Sequence, residues 1–205
     1  MKFTDWGLIP YKNAMEMQID LIEKIAKSQE EEQIIFCKHP SVVTLGRATE
    51  NGDLMGWQGE IFESQRGGRA TYHGPEQLVI YPLINLQNRT KDLHLHLRKL
   101  ENSLIHCLKE HYQISAEGGR KDATGVWIKE QKIASLGIAV RKWVTYHGMA
   151  VNLNHDPKAF TGISPCGFNT NTMVHLSQFT EEKISYEKFK EQMKSFLVNE
   201  WPETR

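Results

Sequence analysis

The chain has 205 residues, a length that suits one compact domain or a domain with a small appendage. Lys plus Arg and Asp plus Glu number 25 each, so the formal net charge is zero and nothing indicates the basic surface of a nucleic-acid-binding protein. No stretch is apolar enough to span a bilayer, no apolar leader segment is present, and the three widely spaced cysteines are typical of reduced proteins, so we expect a cytoplasmic chain with no membrane partner.

The first half of the chain is predicted to combine one helix with several short strands. Apolar residues at helical spacing predict a helix from about residue 11 to residue 27. The run QIIFCKHPSVVTLGR predicts two short strands broken at His39 and Pro40, and a glycine-punctuated loop follows from 51 to 59. The stretch IFESQRGGRATYHGPEQLVIYPLINL then predicts a strand, a Gly-Gly turn, a short strand, a Gly-Pro turn and a buried strand.

The second half is predicted to place a three-stranded meander between two helices. The first of these helices begins after Asp92, a suitable N-cap, and ends near His111. The runs GVWI, KIASLGIAV and WVTYHGMAVNL predict antiparallel strands, 156–173 is loop-rich, and a final helix follows Ser185. Because no βαβ alternation occurs, we expect an α+β fold with a mixed, largely antiparallel β-sheet flanked by helices, in a single domain over 1–205.

Cys166 lies between a proline and a glycine in GISPCGF. This setting favours a tight turn in which backbone N–H groups converge, as suits a nucleophile beside an oxyanion hole. The alternative is a small buried hydrophobic residue, since structural thiols are common and inert. Cys37, in an apolar strand, and Cys107, on an amphipathic helix, are interpreted as structural.

A catalytic thiol needs a cationic or basic neighbour because only a small fraction of free thiols is ionised at neutral pH. Lys132 opens KIASLGIAV, but a lysine at a strand start is, taken alone, expected to point to solvent. His73 and His147, each between tyrosine and glycine, are either ordinary loop histidines or substrate contacts. No phosphate-binding loop of the Walker or Rossmann type occurs, so nucleotide binding has no support.

Four motifs in a fixed order, HPSVVTLGR, RGGRATYHGPEQLVIY, KIASLGIAVRKWVTYHGMAVNLN and GISPCGF, resemble the lipoyl(octanoyl) transferase family. The resemblance extends from about Ile34 to His175. It implies a fold shared with lipoate- and biotin-protein ligases and a catalytic pair formed by Cys166 and Lys132. It also implies substrate contacts from three stretches, namely Arg66, Gly67, Gly68, Arg69, Ala70, Thr71, Tyr72, His73, Ser135, Leu136, Gly137, Gly148, Met149 and Ala150.

The activity that the resemblance implies is acyl transfer in the first step of endogenous protein lipoylation. An octanoyl group would pass from acyl carrier protein, through a thioester on Cys166, to a lysine of a lipoyl domain. The expected acceptors are the lipoyl domains of 2-oxoacid dehydrogenase complexes and the H protein of glycine cleavage, and neither a cofactor nor a metal is expected. Glu76 stands where the family usually has glycine, and Arg69 stands where an acidic or polar residue is more usual. Glutamate would be strained if position 76 required a positive φ.

Three alternatives remain open from the residues. A lipoate-protein ligase of the same fold would use Lys132 and ATP without needing the thiol of Cys166. A non-catalytic acyl- or lipoyl-binding protein would keep the pocket without turnover. A thioesterase would differ only in giving the acyl group to water rather than to an amine.

Overall fold

The computed structural model describes residues 1–87, 89–119, 124–167 and 170–201. These residues contain two β-sheets and three α-helices. The helices are α1 (Tyr11–Ala26), α2 (Leu93–Tyr112) and α3 (Tyr186–Leu197). The strands are β1 (Lys2–Leu8), β2 (Gln33–Lys38), β3 (Val42–Leu45), β4 (Glu60–Glu63), β5 (Thr71–His73), β6 (Gln77–Leu83), β7 (Gly125–Ile128), β8 (Gln131–Arg141) and β9 (Val144–Asn152). None of the helices in the described ranges is long and apolar enough to cross a membrane.

The larger sheet has the order β1-β2-β6-β9-β8-β7, and the smaller sheet has the order β4-β3-β5. In the larger sheet only the pairing of β1 with β2 is parallel, and in the smaller sheet only that of β3 with β4. The predicted α+β class and the mixed, largely antiparallel sheet are therefore confirmed. Strand β1 was not predicted; its sequence KFTDWGL carries charged residues and a glycine in place of an apolar run, and it occupies one edge of the larger sheet.

The larger sheet separates two hydrophobic clusters. On one face α1 packs through Ala14, Ile22 and Ile25, and on the other face lie α2 and α3. Successive residues of β6 alternate between the two clusters, because successive side chains of a strand point to opposite faces. Val79 and Tyr81 thus lie on the α1 face, which is also the face that bears the cavity described below.

The predicted starts of α2 and α3 are confirmed by their caps. The Asp92 carboxylate accepts hydrogen bonds from the N–H groups of His94 and Leu95 at 2.8 and 3.1 Å. The Ser185 hydroxyl accepts one from Lys188 at 3.4 Å. These bonds satisfy backbone donors that have no partner inside the helix.

Candidate active site

A cavity is lined by residues of both sheets and by the first residue of α1. Its walls come from β5, β6, β8, β9 and the turn before β5. The lining residues are Tyr11, Arg66, Gly68, Thr71, His73, Val79, Tyr81, Ser135, Leu136, Gly137, His147, Gly148, Met149 and Ala150. Much of this lining is apolar, with a few polar groups spaced along it, as is usual for small-molecule sites.

Most of the predicted substrate contacts lie on this wall. The structure places there Arg66, Gly68, Thr71, His73, Ser135, Leu136, Gly137, Gly148, Met149 and Ala150. Among the described residues, the cavity lining does not include the other four predicted contacts, Gly67, Arg69, Ala70 and Tyr72. Tyr72 points to the other side of β5, where it packs with Val43, Phe160 and Ile163, because alternate residues of a strand face opposite ways.

Four lining residues were not among the predicted contacts: Tyr11, Val79, Tyr81 and His147. Tyr11 and Tyr81 come from elements whose sequences give no sign of a ligand. The Tyr-His-Gly setting of His147 left a substrate contact open as one of two interpretations, and the histidine does line the cavity. The period-two spacing of Val79 and Tyr81 places them on one face of β6, but only the packing of the two sheets makes that face a cavity wall.

Three polar atoms at this wall have no hydrogen-bond partner among the described residues: Thr71 Oγ1, His73 Nδ1 and Ser135 Oγ. A buried polar group without a partner costs about 1–3 kcal/mol. The pKa of His73 lies well below its usual value because of its burial, with the nearby His39 and Arg66 adding to the effect. The imidazole is therefore neutral, and these three groups are available to a bound ligand.

Arg66 links the cavity wall to the smaller sheet. Its Nη2 donates to the carbonyl oxygen and hydroxyl of Thr44 at 2.7 and 2.8 Å, and its Nη1 donates to the carbonyl of Gly67 at 3.0 Å. The side chain is buried, so these bonds hold the guanidinium in a fixed position. Arg66 thus stabilises the turn that leads into β5.

His147 stands on β9 in the left-handed region, at φ +58°. Its backbone N–H donates to Gln18 Oε1 at 2.9 Å, and its ring Nδ1 lies 3.4 Å from the Tyr11 hydroxyl. Burial, assisted by the charge of Arg66, lowers the pKa of His147 to about 3. The ring is neutral at physiological pH, which keeps this part of the wall free of a formal charge.

Lys132 is 1 % exposed, so the expectation that a lysine at this strand start points to solvent is wrong. Its Nζ lies 5.4 Å from the centre of the Trp127 ring. Gly125 on the neighbouring strand makes room for it, since a Cβ there would lie 2.4 Å from Lys132 Cε. The register across the β7–β8 pair shifts between Val126 and Trp127, next to the pairing of Trp127 with Lys132.

Cys166 lies in a one-turn 3₁₀ helix, Pro165–Gly167, as the Pro-Cys-Gly setting predicted. Its side chain is outside what the structure describes. This turn contacts β5, and the chain continues to Met173, which pairs with Lys132 in an isolated bridge. The N–H of Val174 donates to the Lys132 carbonyl at 3.0 Å. The turn 165–167 therefore lies beside β5, and residues 173 and 174 lie beside the strand that carries Lys132.

Glu76 does not have a positive φ, so it is not strained in the place of the usual glycine. Its carboxylate accepts hydrogen bonds from Asn154 Nδ2 and Lys183 Nζ, both at 3.0 Å. Arg69 instead pairs with Asp53 and Glu50. The two unusual residues thus have separate partners.

The cysteines interpreted as structural are both buried, Cys37 on β2 and Cys107 on α2. Within the described ranges, no three His, Cys, Asp or Glu residues are grouped so that they could hold a metal ion.

Comparisons with known proteins give a consistent result. A family profile described as "Lipoyl protein ligase A/B catalytic domain" matches residues 10–198. An octanoyltransferase of Bdellovibrio bacteriovorus is 44% identical over an alignment of 211 positions, which covers 96% of this chain and 96% of that protein.

Two solved structures share the fold. A lipoate-protein ligase A bound with ATP aligns with a TM-score of 0.73 at 15% identity, covering 98% of this chain and 85% of that one. A bipartite lipoate protein ligase from Thermoplasma acidophilum, solved in a study that includes its E2 lipoyl domain, aligns with a TM-score of 0.70 at 15% identity, covering 97% of this chain and 82% of that one. At this identity the likeness shows the fold alone, and it confirms the predicted ligase-like architecture.

Proposed function

Since the chain belongs to the octanoyltransferases of the lipoyl protein ligase A/B catalytic-domain family, we propose that it carries the octanoyl group as a thioester on Cys166. It is an acyltransferase of protein lipoylation, and its acceptors are lipoyl-domain proteins.

The observation that best supports a Cys166–Lys132 pair is the position of the two ends of the segment 165–174, the turn 165–167 and residues 173–174. One end of this segment contacts β5, whose Thr71 and His73 line the cavity, and the other end is hydrogen-bonded to Lys132. These contacts support the proposal that Cys166 and Lys132 work in one region, as a nucleophile and its base must.

In the first half-reaction the Cys166 thiolate attacks the carbonyl carbon of the octanoyl thioester. The new carbon–sulfur bond forms, the bond to the carrier's sulfur breaks, and the carrier leaves as a thiol after taking a proton from the Lys132 ammonium, which becomes a neutral amine. The unpartnered hydroxyls of Thr71 and Ser135 are available to donate to the developing oxyanion. Lys132, as an ammonium, would favour the thiolate form of Cys166 and is the group we assign to this role.

In the second half-reaction the acceptor lysine's amine attacks the octanoyl-Cys166 thioester. An amide bond forms, the carbon–sulfur bond breaks and Cys166 is regenerated. The amine must lose a proton in this step, and Lys132 is assigned as the general base that accepts it. The scheme is a two-step transfer that consumes no ATP.

The acyl chain is assigned to the cavity. Val79 and Ala150 supply apolar side chains to its wall, and Gly68 adds no side chain there. At about 0.8 kcal/mol for each buried CH₂ group, an octanoyl chain gains roughly 5 kcal/mol of binding free energy there. The neutral state of His73 and His147 suits such an occupant.

Acyl carrier protein is proposed as the donor. The lipoyl domains of 2-oxoacid dehydrogenase complexes and the H protein of glycine cleavage are proposed as acceptors, and the cytoplasm as the place of the reaction. None of these steps calls for a cofactor.

The test is intact-protein mass spectrometry after mixing the enzyme with octanoyl-acyl carrier protein without ATP. We expect one octanoyl group on the wild type and on Cys107→Ala, a matched control that removes a different thiol, and none on Cys166→Ala. Addition of a lipoyl domain should discharge the adduct and increase the mass of the domain by one octanoyl group.

Two other results would contradict the proposed transfer. If no adduct forms and the lipoyl domain is modified only when ATP and free octanoate are supplied, the chain works as a ligase. If the adduct forms but only water discharges it, the chain works as a thioesterase.

A further inference from the structure

The guanidinium of Arg69 lies against the turn that carries Cys166. A Cβ placed on Gly167 would lie 2.6 Å from Arg69 Nη1 and 2.9 Å from its Cζ. Gly167 also has a φ of +80°, which other residues rarely adopt. Glycine at this position therefore allows both the turn and the close approach of the arginine.

Asp53 holds Arg69 in this position. Arg69 Nε donates to both carboxylate oxygens of Asp53 at 3.1 Å, and Nη2 donates to Oδ1 at 2.6 Å. The Asp53 side chain is fully buried. Burial would raise its pKa, but hydrogen bonds from Arg69 and from the N–H of Glu50, with the charge of Arg69, hold the pKa of Asp53 below its usual value. The carboxylate thus stays ionised at neutral pH.

The loop that contains Asp53 is also hydrogen-bonded through its backbone to residues 162–164, just before Cys166. The Asp53 carbonyl accepts a hydrogen bond from the N–H of Ser164 at 2.8 Å. Leu54 pairs with Ile163 in an isolated bridge, and the N–H of Met55 donates to the carbonyl of Gly162 at 2.7 Å. The segment is therefore held by backbone bonds just before Cys166, and the Arg69 guanidinium lies against it just after Cys166.

We propose that Asp53 and Arg69 form a clamp that fixes the Cys166 turn for acyl transfer, with Arg69 as a positioning residue. The clamp's use in catalysis rests on the proposed role of Cys166. Its action is geometric rather than electrostatic, because the carboxylates of Asp53 and Glu50, the latter 3.0 Å from Nη2, offset the positive charge of Arg69. A planar guanidinium fork fixes an orientation that a lysine ammonium cannot reproduce.

The variants that test the clamp are Arg69→Gln, Arg69→Lys and a matched control, Arg89→Gln. Arg89 forms a half-buried ion pair with Glu32 at 2.7 Å and does not line the cavity. The control therefore removes a comparable ion pair away from the nucleophile turn. Each variant is first compared with the wild type by thermal unfolding.

The first readout is the single-turnover rate at which octanoyl-acyl carrier protein acylates Cys166. A displacement of about 1 Å in a reacting group costs on the order of 100-fold in rate, and we expect that loss in Arg69→Gln. The donor concentration at half-maximal rate should change by less than about threefold, because the clamp positions the thiol rather than binding substrate. Arg69→Lys should resemble Arg69→Gln, and Arg89→Gln should resemble the wild type.

The second readout does not depend on activity. Hydrogen exchange of a peptide covering 162–167 reports the backbone bonds of Ser164 and Gly167, the latter of which donates to the Ser164 carbonyl at 3.2 Å. Loss of the charge-assisted bonds in Arg69→Gln should speed this exchange roughly tenfold or more. Arg89→Gln should leave it unchanged.

Two results would overturn the clamp. The first is that Arg69→Gln matches Arg89→Gln in both readouts. The second is that Arg69→Lys has the acylation rate and the exchange rate of the wild type, since lysine keeps the charge but lacks the planar guanidinium. If the wild type itself gains no octanoyl group on Cys166, the proposed function fails, while the exchange comparison still decides whether Arg69 holds the turn.

Discussion

Gly125 and Lys132 share one small space across the β7–β8 pair. A Cβ on Gly125 would lie 2.4 Å from Lys132 Cε, 3.2 Å from Nζ and 2.6 Å from the Ala134 carbonyl oxygen. The position of the buried amine thus depends on the absence of a side chain on the next strand.

The Gly125→Ala variant should therefore lose activity without a change at Lys132 itself. The added methyl displaces the lysine side chain, and a displacement of about 1 Å at a catalytic group costs on the order of 100-fold in kcat. Gly7→Ala is the control, because Gly7 also has a positive φ but a Cβ added there would meet no atom within 4 Å. Steady-state octanoyl transfer by folded protein is the measurement, and a wild-type kcat for Gly125→Ala would contradict the assignment of Lys132.

Only Cys166 should react with iodoacetamide in the native protein. Burial, with a contribution from the charge of Asp5, raises the pKa of Cys37 well above its usual value, and burial raises the pKa of Cys107 to about 12. At pH 8 the thiolate fraction of Cys107 is then about 10⁻⁴, and the thiolate is the reactive form. Peptide mass spectrometry should find label on Cys166 alone under native conditions and on all three cysteines in denaturant. Equal labelling of Cys107 and Cys166 in the native state would argue against an activated nucleophile.

Ala150→Leu should shift the preference toward shorter acyl chains. Ala150 lies on the cavity wall and pairs with Ser135 on β8 and Val79 on β6. The larger side chain takes the room of two or three methylene groups, which corresponds to about 2 kcal/mol, or roughly 30-fold in kcat/KM for octanoyl. Transfer of a butyryl group should be nearly unchanged.

The matched control for this variant is Ala139→Leu. Ala139 belongs to the same hydrophobic cluster but does not line the cavity. Overpacking should lower the melting temperature of both variants. A shift in chain-length preference in Ala139→Leu, or its absence in Ala150→Leu, would place the acyl chain elsewhere.

His96 should make the protein less stable as the pH falls below about 6.5. Burial, with smaller effects from the charges of Lys99 and Arg89, lowers the pKa of His96 to about 3. Between these two values the unfolded state binds a proton that the native state does not, so stability decreases with falling pH by about 1.4 kcal/mol per unit for this group. The contribution is fully present above pH 6.5.

The variant that checks this slope is His96→Leu, studied by denaturant unfolding from pH 5 to pH 7. Its free energy of unfolding should depend on pH less steeply by one proton, although loss of the hydrogen bond from Trp201 Nε1 lowers stability at every pH. His94→Leu, which alters an exposed residue of the same helix, should keep the wild-type slope. Identical slopes in all three proteins would show that His96 is protonated in the native state.

Local sequence signals predicted most of the fold. Asp92 and Ser185 carry the side-chain oxygens that cap α2 and α3, and the apolar runs of β6, β8 and β9 identified the central strands. Strand β1 was not predicted, because it is stabilised by parallel pairing with β2, a tertiary contact that its own composition does not indicate.

The site residues that belong to a sequence motif could be predicted, and those brought to the site only by the packing of distant elements could not. The turn at Cys166 follows from local sequence, and the glycines of the cavity wall were predicted from the resemblance to the family. The burial of Lys132 runs against the usual behaviour of lysine, and it depends on Gly125 on another strand. Tyr11 and Tyr81 reach the cavity from α1 and β6 only because the two sheets meet there.

The bridge between Leu54 and Ile163 joins segments that are more than half of the chain apart. Closing so long a loop costs entropy before its contacts are gained, and such contacts form slowly relative to local ones. During refolding, the helices and the β7–β8–β9 meander, whose contacts are local, can recover their spectroscopic signals before Leu54 meets Ile163. The return of enzymatic activity should therefore lag behind the return of secondary structure, so that a freshly made chain becomes folded before it becomes competent.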